Sequence, residues 1–170
     1  MPWEKKAVVA LAGSLPFVLA LAGCTLPALP AAPPAAHEGL TAEAFAAHVR
    51  ALADPTLGGR ATGTPGNAWA ARYVAEEFAR AGLIPAGDGG GWFQEFEAGY
   101  VVPAGPARNV IGRLPGEGGP DAPTILLGAH YDHLASRVGR DGSVEVFPGA
   151  DDNASGVGVL LLAAKALAAV

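Results

Sequence analysis

The sequence predicts an α/β protein in which helices pack against a sheet. Two segments with the helical spacing of apolar residues, 41–54 and 65–82, come first. Short β-type segments follow, the most apolar of them at 124–130, and then an apolar helix at 155–170. Helical and β-type segments in this order are typical of a layered α/β fold.

The N-terminal 39 residues are predicted to precede this domain. Lys5 and Lys6 come before an apolar run at 7–22 that ends in small residues, which is the layout of a secretory signal peptide. A membrane anchor, the alternative, needs about 20 apolar residues. The sequence LAGC at 21–24 resembles the lipobox of bacterial lipoproteins, in which the cysteine becomes the lipidated first residue of the mature chain.

This resemblance implies a lipoprotein signal peptide at 1–23 and a lipid anchor at Cys24. The protein would then be exported and held on the bacterial cell envelope, at a periplasmic or extracellular face. Residues 24–39 are rich in Pro and Ala. They are predicted to form an extended tether, because proline fixes φ and removes a backbone donor.

The overall composition limits the class of protein. A length of 170 residues with 51% apolar side chains suffices for one compact domain. The 11 basic and 16 acidic residues give a formal net charge of -5, whereas nucleic-acid-binding proteins carry a basic patch, so a nucleic-acid partner is not expected. A single cysteine excludes an intrachain disulfide.

The predicted elements have recognisable ends. Thr41 suits the N-cap of the first helix, Pro65 the first turn of the second, and Gly82 its C-terminal stop. Strands are predicted around the sequence WFQEFE and at 109–114. The run Thr124–His130 is predicted to be a strand buried on both faces, and the helix from Ser155 to be a buried helix too short to span a membrane.

Chemically active side chains cluster between that buried strand and the last helix. One group follows the end of the strand, where ligands gather in open α/β sheets, and the other precedes a helix N-terminus, whose dipole tolerates acidic groups. Neutral imidazole is a good zinc ligand, and a carboxylate two residues away suits its other ring nitrogen. The cluster contains His130, Asp132, His133, Asp141, Glu145, Asp151 and Asp152.

The same cluster could also belong to other kinds of site. The sequence DDNASG matches the opening of a calcium loop, but Leu162 stands where the bidentate glutamate is required. No G-x-S-x-G surrounds a serine, so a serine hydrolase lacks support. A helix cap at Asp151 and Asp152, or a solvated loop, remains open from the residues alone.

The motif GAHYDH at 128–133, followed by PGADDNASG at 148–156, resembles the di-zinc aminopeptidase family. That family includes aminopeptidase Y and, more distantly, glutamate carboxypeptidase and glutaminyl cyclase. The stretches 59–83, 92–97 and 108–116 are also similar to the start of its domain, so the resemblance extends from residue 40 to Val170. It implies a three-layer αβα zinc-exopeptidase-like domain with a mostly parallel mixed sheet.

The resemblance also implies roles for three residues. His130 matches a ligand of one zinc ion, Asp152 the aspartate that bridges two zinc ions, and Asp132 the catalytic-site aspartate that supports the metal-binding histidine. His133 and Asp151 match common residues of the motif without a ligand role. The implied activity is release of N-terminal amino acids from peptides by metal-activated water.

The sequence departs from the family pattern after Asp152. The family then supplies a Glu-Glu pair, of which one is the general base, and further Asp and His ligands. No Asp, Glu or His follows Asp152 here. We therefore expect 40–170 to be the N-terminal part of a peptidase domain, truncated after the helix that follows Asp152 and inactive alone. Glutamate carboxypeptidase-like or glutaminyl cyclase-like activity, and a non-catalytic tethered binding domain, are the alternatives.

Overall fold

The computed structural model describes residues 39–97, 107–116 and 123–170. The predicted signal peptide, Cys24 and nearly all of the tether lie outside these residues, so the domain boundaries stay predictions. Within the three described ranges, no helix is both long enough and apolar enough to cross a membrane.

Helices α1 and α2 begin and end close to the predicted positions. Thr41 caps α1, its hydroxyl oxygen accepting a hydrogen bond from the Ala44 amide at 3.1 Å. Thr64 caps the second helix in the same way, and Pro65 occupies its first turn, where a missing amide hydrogen costs nothing. The helices of the described residues are α1 (Ala42–Leu52), α2 (Pro65–Arg80) and α3 (Ser155–Ala168).

The three helices share one apolar core. Apolar side chains of α2 and α3 meet at the C-terminal end of α1, so that burial of apolar surface joins segments distant in sequence. Aromatic side chains of Trp69, Tyr73 and Trp92 extend this core outward. Its buried members are Leu52, Ala70, Val74, Phe78, Ala154, Val157, Leu161 and Ala164.

The strands in the described residues form three antiparallel pairs. The predicted strand 109–114 is divided at Ile111, because the chain changes partner there. The Ile111 amide donates to the Trp92 carbonyl at 2.8 Å, and its carbonyl accepts from the Ala86 amide at 3.0 Å. The pairs are β1 (Ile84–Pro85) with β4 (Gly112–Arg113), β2 (Phe93–Phe96) with β3 (Ala107–Val110), and β5 (Arg137–Val138) with β6 (Val144–Glu145).

The prediction of a buried strand at Thr124–His130 is wrong for this structure. The segment has no strand assignment, and the side chains of Ile125 and Leu126 are 86% and 91% exposed. A strand buried on both faces needs neighbouring strands and covering layers. Among the described residues none pairs with this segment. The described residues are therefore mixed α/β, and the predicted three-layer domain with a mostly parallel sheet is not confirmed by them.

Helix α3 is buried on one side only, in contrast to the prediction of a buried helix. Val157 and Leu161 lie in the core, whereas Val159 and Leu167 are more than half exposed. The packing explains this difference, since α3 contacts α1 and α2 along the same side. Position and start of the helix agree with the sequence prediction.

Candidate metal centre

A short antiparallel contact fixes the segment that carries His130 and His133. The Arg60 amide donates to the Leu134 carbonyl at 3.2 Å, and the Arg60 carbonyl accepts from the His133 amide at 3.1 Å. Gly59 pairs with Ala135 in the same contact. The loop before α2 thereby holds the second half of the GAHYDH motif.

Tyr131 anchors the first half of that motif. Its hydroxyl donates to the Arg108 carbonyl at 2.6 Å, and its own carbonyl accepts from Nε of Arg60 at 2.8 Å. Burial raises the pKa of Tyr131 to about 12, so the hydroxyl keeps the proton that it donates. Because Tyr131 lies between His130 and Asp132 in the chain, this anchoring fixes the backbone from which both side chains extend.

The second loop turns sharply before α3. Gly149 has φ +60°, and its carbonyl accepts from the Ala154 amide at 3.2 Å. Asp152 has non-helical angles, and the Asp152–Asn153 peptide bond is cis. The Asn153 side chain then accepts from the Gly156 amide at 3.1 Å, which caps the start of α3. Asp152 therefore lies in an irregular turn directly before the helix.

These two loops bring His130 and Asp152 together. Nε2 of His130 lies 3.2 Å from Oδ1 of Asp152. Two ligands that each lie about 2.0–2.2 Å from a tetrahedral zinc ion are separated by about 3.3–3.6 Å, close to the observed distance. The spacing suits a shared ion, and the ligand role of each residue stays a prediction.

Asp132 contacts the same histidine mainly through its backbone. Nδ1 of His130 lies 3.2 Å from the Asp132 carbonyl oxygen and 3.5 Å from the carboxylate Oδ1. A carbonyl only accepts, so this contact favours a hydrogen on Nδ1 of His130, which would leave Nε2 for a metal ion. The other carboxylate oxygen of Asp132 accepts from the Thr62 hydroxyl at 3.4 Å. Asp132 thus lies beside His130 with its carbonyl as the nearer acceptor, and its supporting role stays a prediction.

His133, for which no ligand role was predicted, also lies next to Asp152. Its Nδ1 lies 3.4 Å from Oδ2 of Asp152. The His133 side chain is only 16% exposed, compared with 56% for His130 and 66% for Asp152. The Asp152 carboxylate therefore lies between two imidazole rings. The His-x-x-His spacing of 130 and 133 is the signal that could have indicated this.

The remaining acidic residues of the cluster have other partners. Asp141 accepts from the amide and hydroxyl of Ser143 in the β5–β6 turn. Glu145 forms an ion pair with Arg137 across that hairpin at 2.5 Å. The structure therefore does not bring Asp141 or Glu145 to the His130–Asp152 pair.

The donor types fit zinc, but the set is small. Imidazole nitrogen and carboxylate oxygen are both zinc ligands, and a catalytic zinc ion takes three protein ligands. Within 39–97, 107–116 and 123–170, no group of three or more His, Cys, Asp or Glu side chains is arranged to hold a metal ion. His130 and Asp152 would thus supply part of a zinc site.

Arg60 is the other residue that sequence reasoning missed. The sequence GGRATG predicts only a loop, yet Arg60 is 1% exposed and its guanidinium binds backbone carbonyls beside both halves of the site. Burial lowers the pKa of Arg60, and the nearby carboxylates of Asp132 and Asp152 oppose that change. The signal that could have indicated a role is its position next to two glycines that allow close backbone approach.

Comparison with known proteins agrees with the family suggested by the motifs. Residues 109–170, which include His130 and Asp152, match the family described as Peptidase family M28. A stretch of 66 residues is 41% identical to an uncharacterized protein, YfbL, of Escherichia coli (strain K12), and covers 39% of this chain. The chain spans 19% of the length of that relative. No solved structure matches the chain. The resemblance to the zinc aminopeptidase family is thus confirmed over the matched range, residues 109–170.

Proposed function

We propose that this protein is a zinc-dependent exopeptidase that releases N-terminal amino acids from peptides. The observation that carries the proposal is the 3.2 Å separation of His130 Nε2 and Asp152 Oδ1. Both residues belong to the segment that matches a peptidase family. The two side chains come from loops far apart in the sequence, so a helix cap alone does not account for their meeting.

Three residues of the chain would prepare the site. His130 and Asp152 would hold zinc, and the Asp132 carbonyl, 3.2 Å from Nδ1 of His130, would accept the hydrogen of that nitrogen and leave Nε2 for the metal. Zinc, when bound, acts as a Lewis acid that activates water and polarises a carbonyl group. Zinc sites of the structural kind are closed by four protein ligands. Here both donor side chains are more than half exposed, which supports a site open to substrate.

Peptidase activity is tested on the product of the complete open reading frame. We expect zinc-dependent release of the chromophore from an aminoacyl p-nitroanilide, and no release from the N-acetylated analogue. Dialysis against a chelator should abolish activity, and added zinc should restore it. Release of C-terminal glutamate, or cyclisation of N-terminal glutamine, without aminopeptidase activity would replace our proposal with one of the two related activities. Activity that survives removal of the metal would overturn it.

We also propose that Cys24 anchors the protein to the cell envelope. The proposal is supported by the LAGC sequence at 21–24, which follows an apolar run. Several acyl chains on one residue bind a membrane firmly, because each buried CH₂ contributes about 0.8 kcal/mol. Cys24→Ser should abolish incorporation of labelled palmitate and leave an unprocessed precursor or a soluble product. Palmitate labelling that persists in Cys24→Ser would contradict the proposal.

A further inference from the structure

The Arg60 side chain joins three separate parts of the backbone. Its Nε donates to the Tyr131 carbonyl at 2.8 Å, and one terminal nitrogen donates to the Gly149 carbonyl at 2.9 Å. The other terminal nitrogen donates to the carbonyls of Leu52, at 2.5 Å, and Pro148. The end of α1, the GAHYDH segment and the loop before Asp152 are therefore bound to one guanidinium group.

Only arginine can make this set of bonds. The guanidinium group is planar and carries five N–H donors in a fixed arrangement, whereas lysine has three donors on one nitrogen. Burying a cation costs free energy unless hydrogen bonds compensate for the lost water. At Arg60 four backbone carbonyls provide that compensation. Such a residue holds its acceptors at fixed separations from one another.

Two acceptors of Arg60 lie close in sequence to the predicted zinc ligands. Tyr131 follows His130 directly, and Gly149 begins the turn that contains Asp152. The Arg60 backbone adds bonds to the amide of His133 and the carbonyl of Leu134. The side chain of Arg60 thus links the backbones of the two loops directly, through hydrogen bonds from one guanidinium group.

We propose that Arg60 is a positioning residue that sets the separation of His130 and Asp152 for zinc binding. The proposal rests on the proposed function, because it takes these two side chains as zinc ligands. The Arg60 side chain is 1% exposed and binds backbone carbonyls, so it is not itself assigned as a ligand of the metal or the substrate. It acts by holding the carbonyls of Tyr131 and Gly149, and through them the backbone from which the ligands extend.

A purely structural role makes a different prediction. If Arg60 only stabilised the core, its replacement would lower the unfolding temperature but leave zinc affinity unchanged in the folded protein. If Arg60 positions the ligands, zinc affinity falls even where the variant is fully folded. Residues that hydrogen-bond to metal ligands without touching the metal typically contribute about 10- to 100-fold to metal affinity.

The test measures the zinc dissociation constant of the product of the complete open reading frame by competition with a chromogenic chelator. Arg60→Lys keeps the charge but cannot reach all four carbonyls, so we expect about 10- to 100-fold weaker binding. The visible spectrum of bound Co²⁺ should change as well, because it reports ligand geometry. Arg80→Lys is the matched control. Arg80 is exposed on α2 and pairs with Glu76 and Glu77, so its replacement should leave affinity unchanged.

A second variant keeps the test decisive if Arg60→Lys does not fold. Arg60→Ala with millimolar methylguanidine should regain zinc affinity in proportion to the methylguanidine bound. Failure to fold in both variants, with or without methylguanidine, would overturn the positioning role in favour of a folding role. Equal zinc affinity of wild type and folded Arg60→Lys would also overturn it. Absence of zinc binding by the unsubstituted complete protein would instead overturn the proposed zinc site, and a complete protein that binds zinc without any peptidase activity would overturn only the proposed function.

Discussion

Replacing Asp152 with alanine in the product of the complete open reading frame is expected to weaken zinc binding by at least about 100-fold, since loss of a residue that only hydrogen-bonds to a metal ligand already costs about 10- to 100-fold. The substitution removes both carboxylate oxygens, one 3.2 Å from His130 Nε2 and the other 3.4 Å from His133 Nδ1. It leaves the His130 imidazole without the carboxylate that is predicted to bind the same zinc ion. A single neutral imidazole does not hold zinc tightly, because zinc sites need several ligands.

Asp151 provides the matched control for this experiment. It is the preceding residue of the same turn, has the same charge, and is exposed. Asp151→Ala therefore changes the net charge as much as Asp152→Ala does, without removing a predicted ligand. Isothermal titration with zinc should separate the two variants clearly. Equal losses of affinity would show that zinc responds to the general negative charge of the loop, and would remove Asp152 from the ligand set.

Local sequence signals predicted the helices well. The hydroxyl of Thr41 and the proline at 65 act within their own first turns, so their effects do not depend on the rest of the chain. The proximity of His130 and Asp152 was also predictable, because each belongs to a motif with a defined place in a known domain. In both cases the information is contained in a short stretch of sequence.

Features that depend on distant partners were not predictable in this way. The apolar run 124–130 has β-type composition, but burial requires strands beside it, and none of the described residues pairs with it. Arg60 could not be distinguished from an exposed loop arginine, because two of its three acceptor segments lie 71 or more residues away in sequence. The approach of His133 to Asp152 likewise depends on how the two loops meet.

The turn at Gly149 also depends on how the two loops meet, so we expect the site to be sensitive to substitution of this glycine. Its φ of +60° lies in the left-handed region, which other residues adopt at a cost of about 1–2 kcal/mol. A Cβ atom at this position would lie 2.4 Å from the Asp152 carbonyl oxygen and 2.6 Å from the His133 ring. These distances are far below van der Waals contact, so the turn or the ring must move.

Gly149→Ala is therefore expected to lower the free energy of unfolding by about 2–5 kcal/mol, the sum of left-handed strain and of about 1–3 kcal/mol for overpacking. Zinc affinity should fall in the same variant, because relief of the clash displaces Asp152 or His133. Gly142→Ala separates the two effects: its φ is +79°, yet nothing lies within 4 Å of an added Cβ. That control should lose only the strain contribution and keep its zinc affinity. Urea unfolding measures the first quantity and zinc titration the second. If the two variants lose stability equally and bind zinc equally, the turn tolerates the added methyl group, and close packing of Gly149 against Asp152 and His133 does not shape the site.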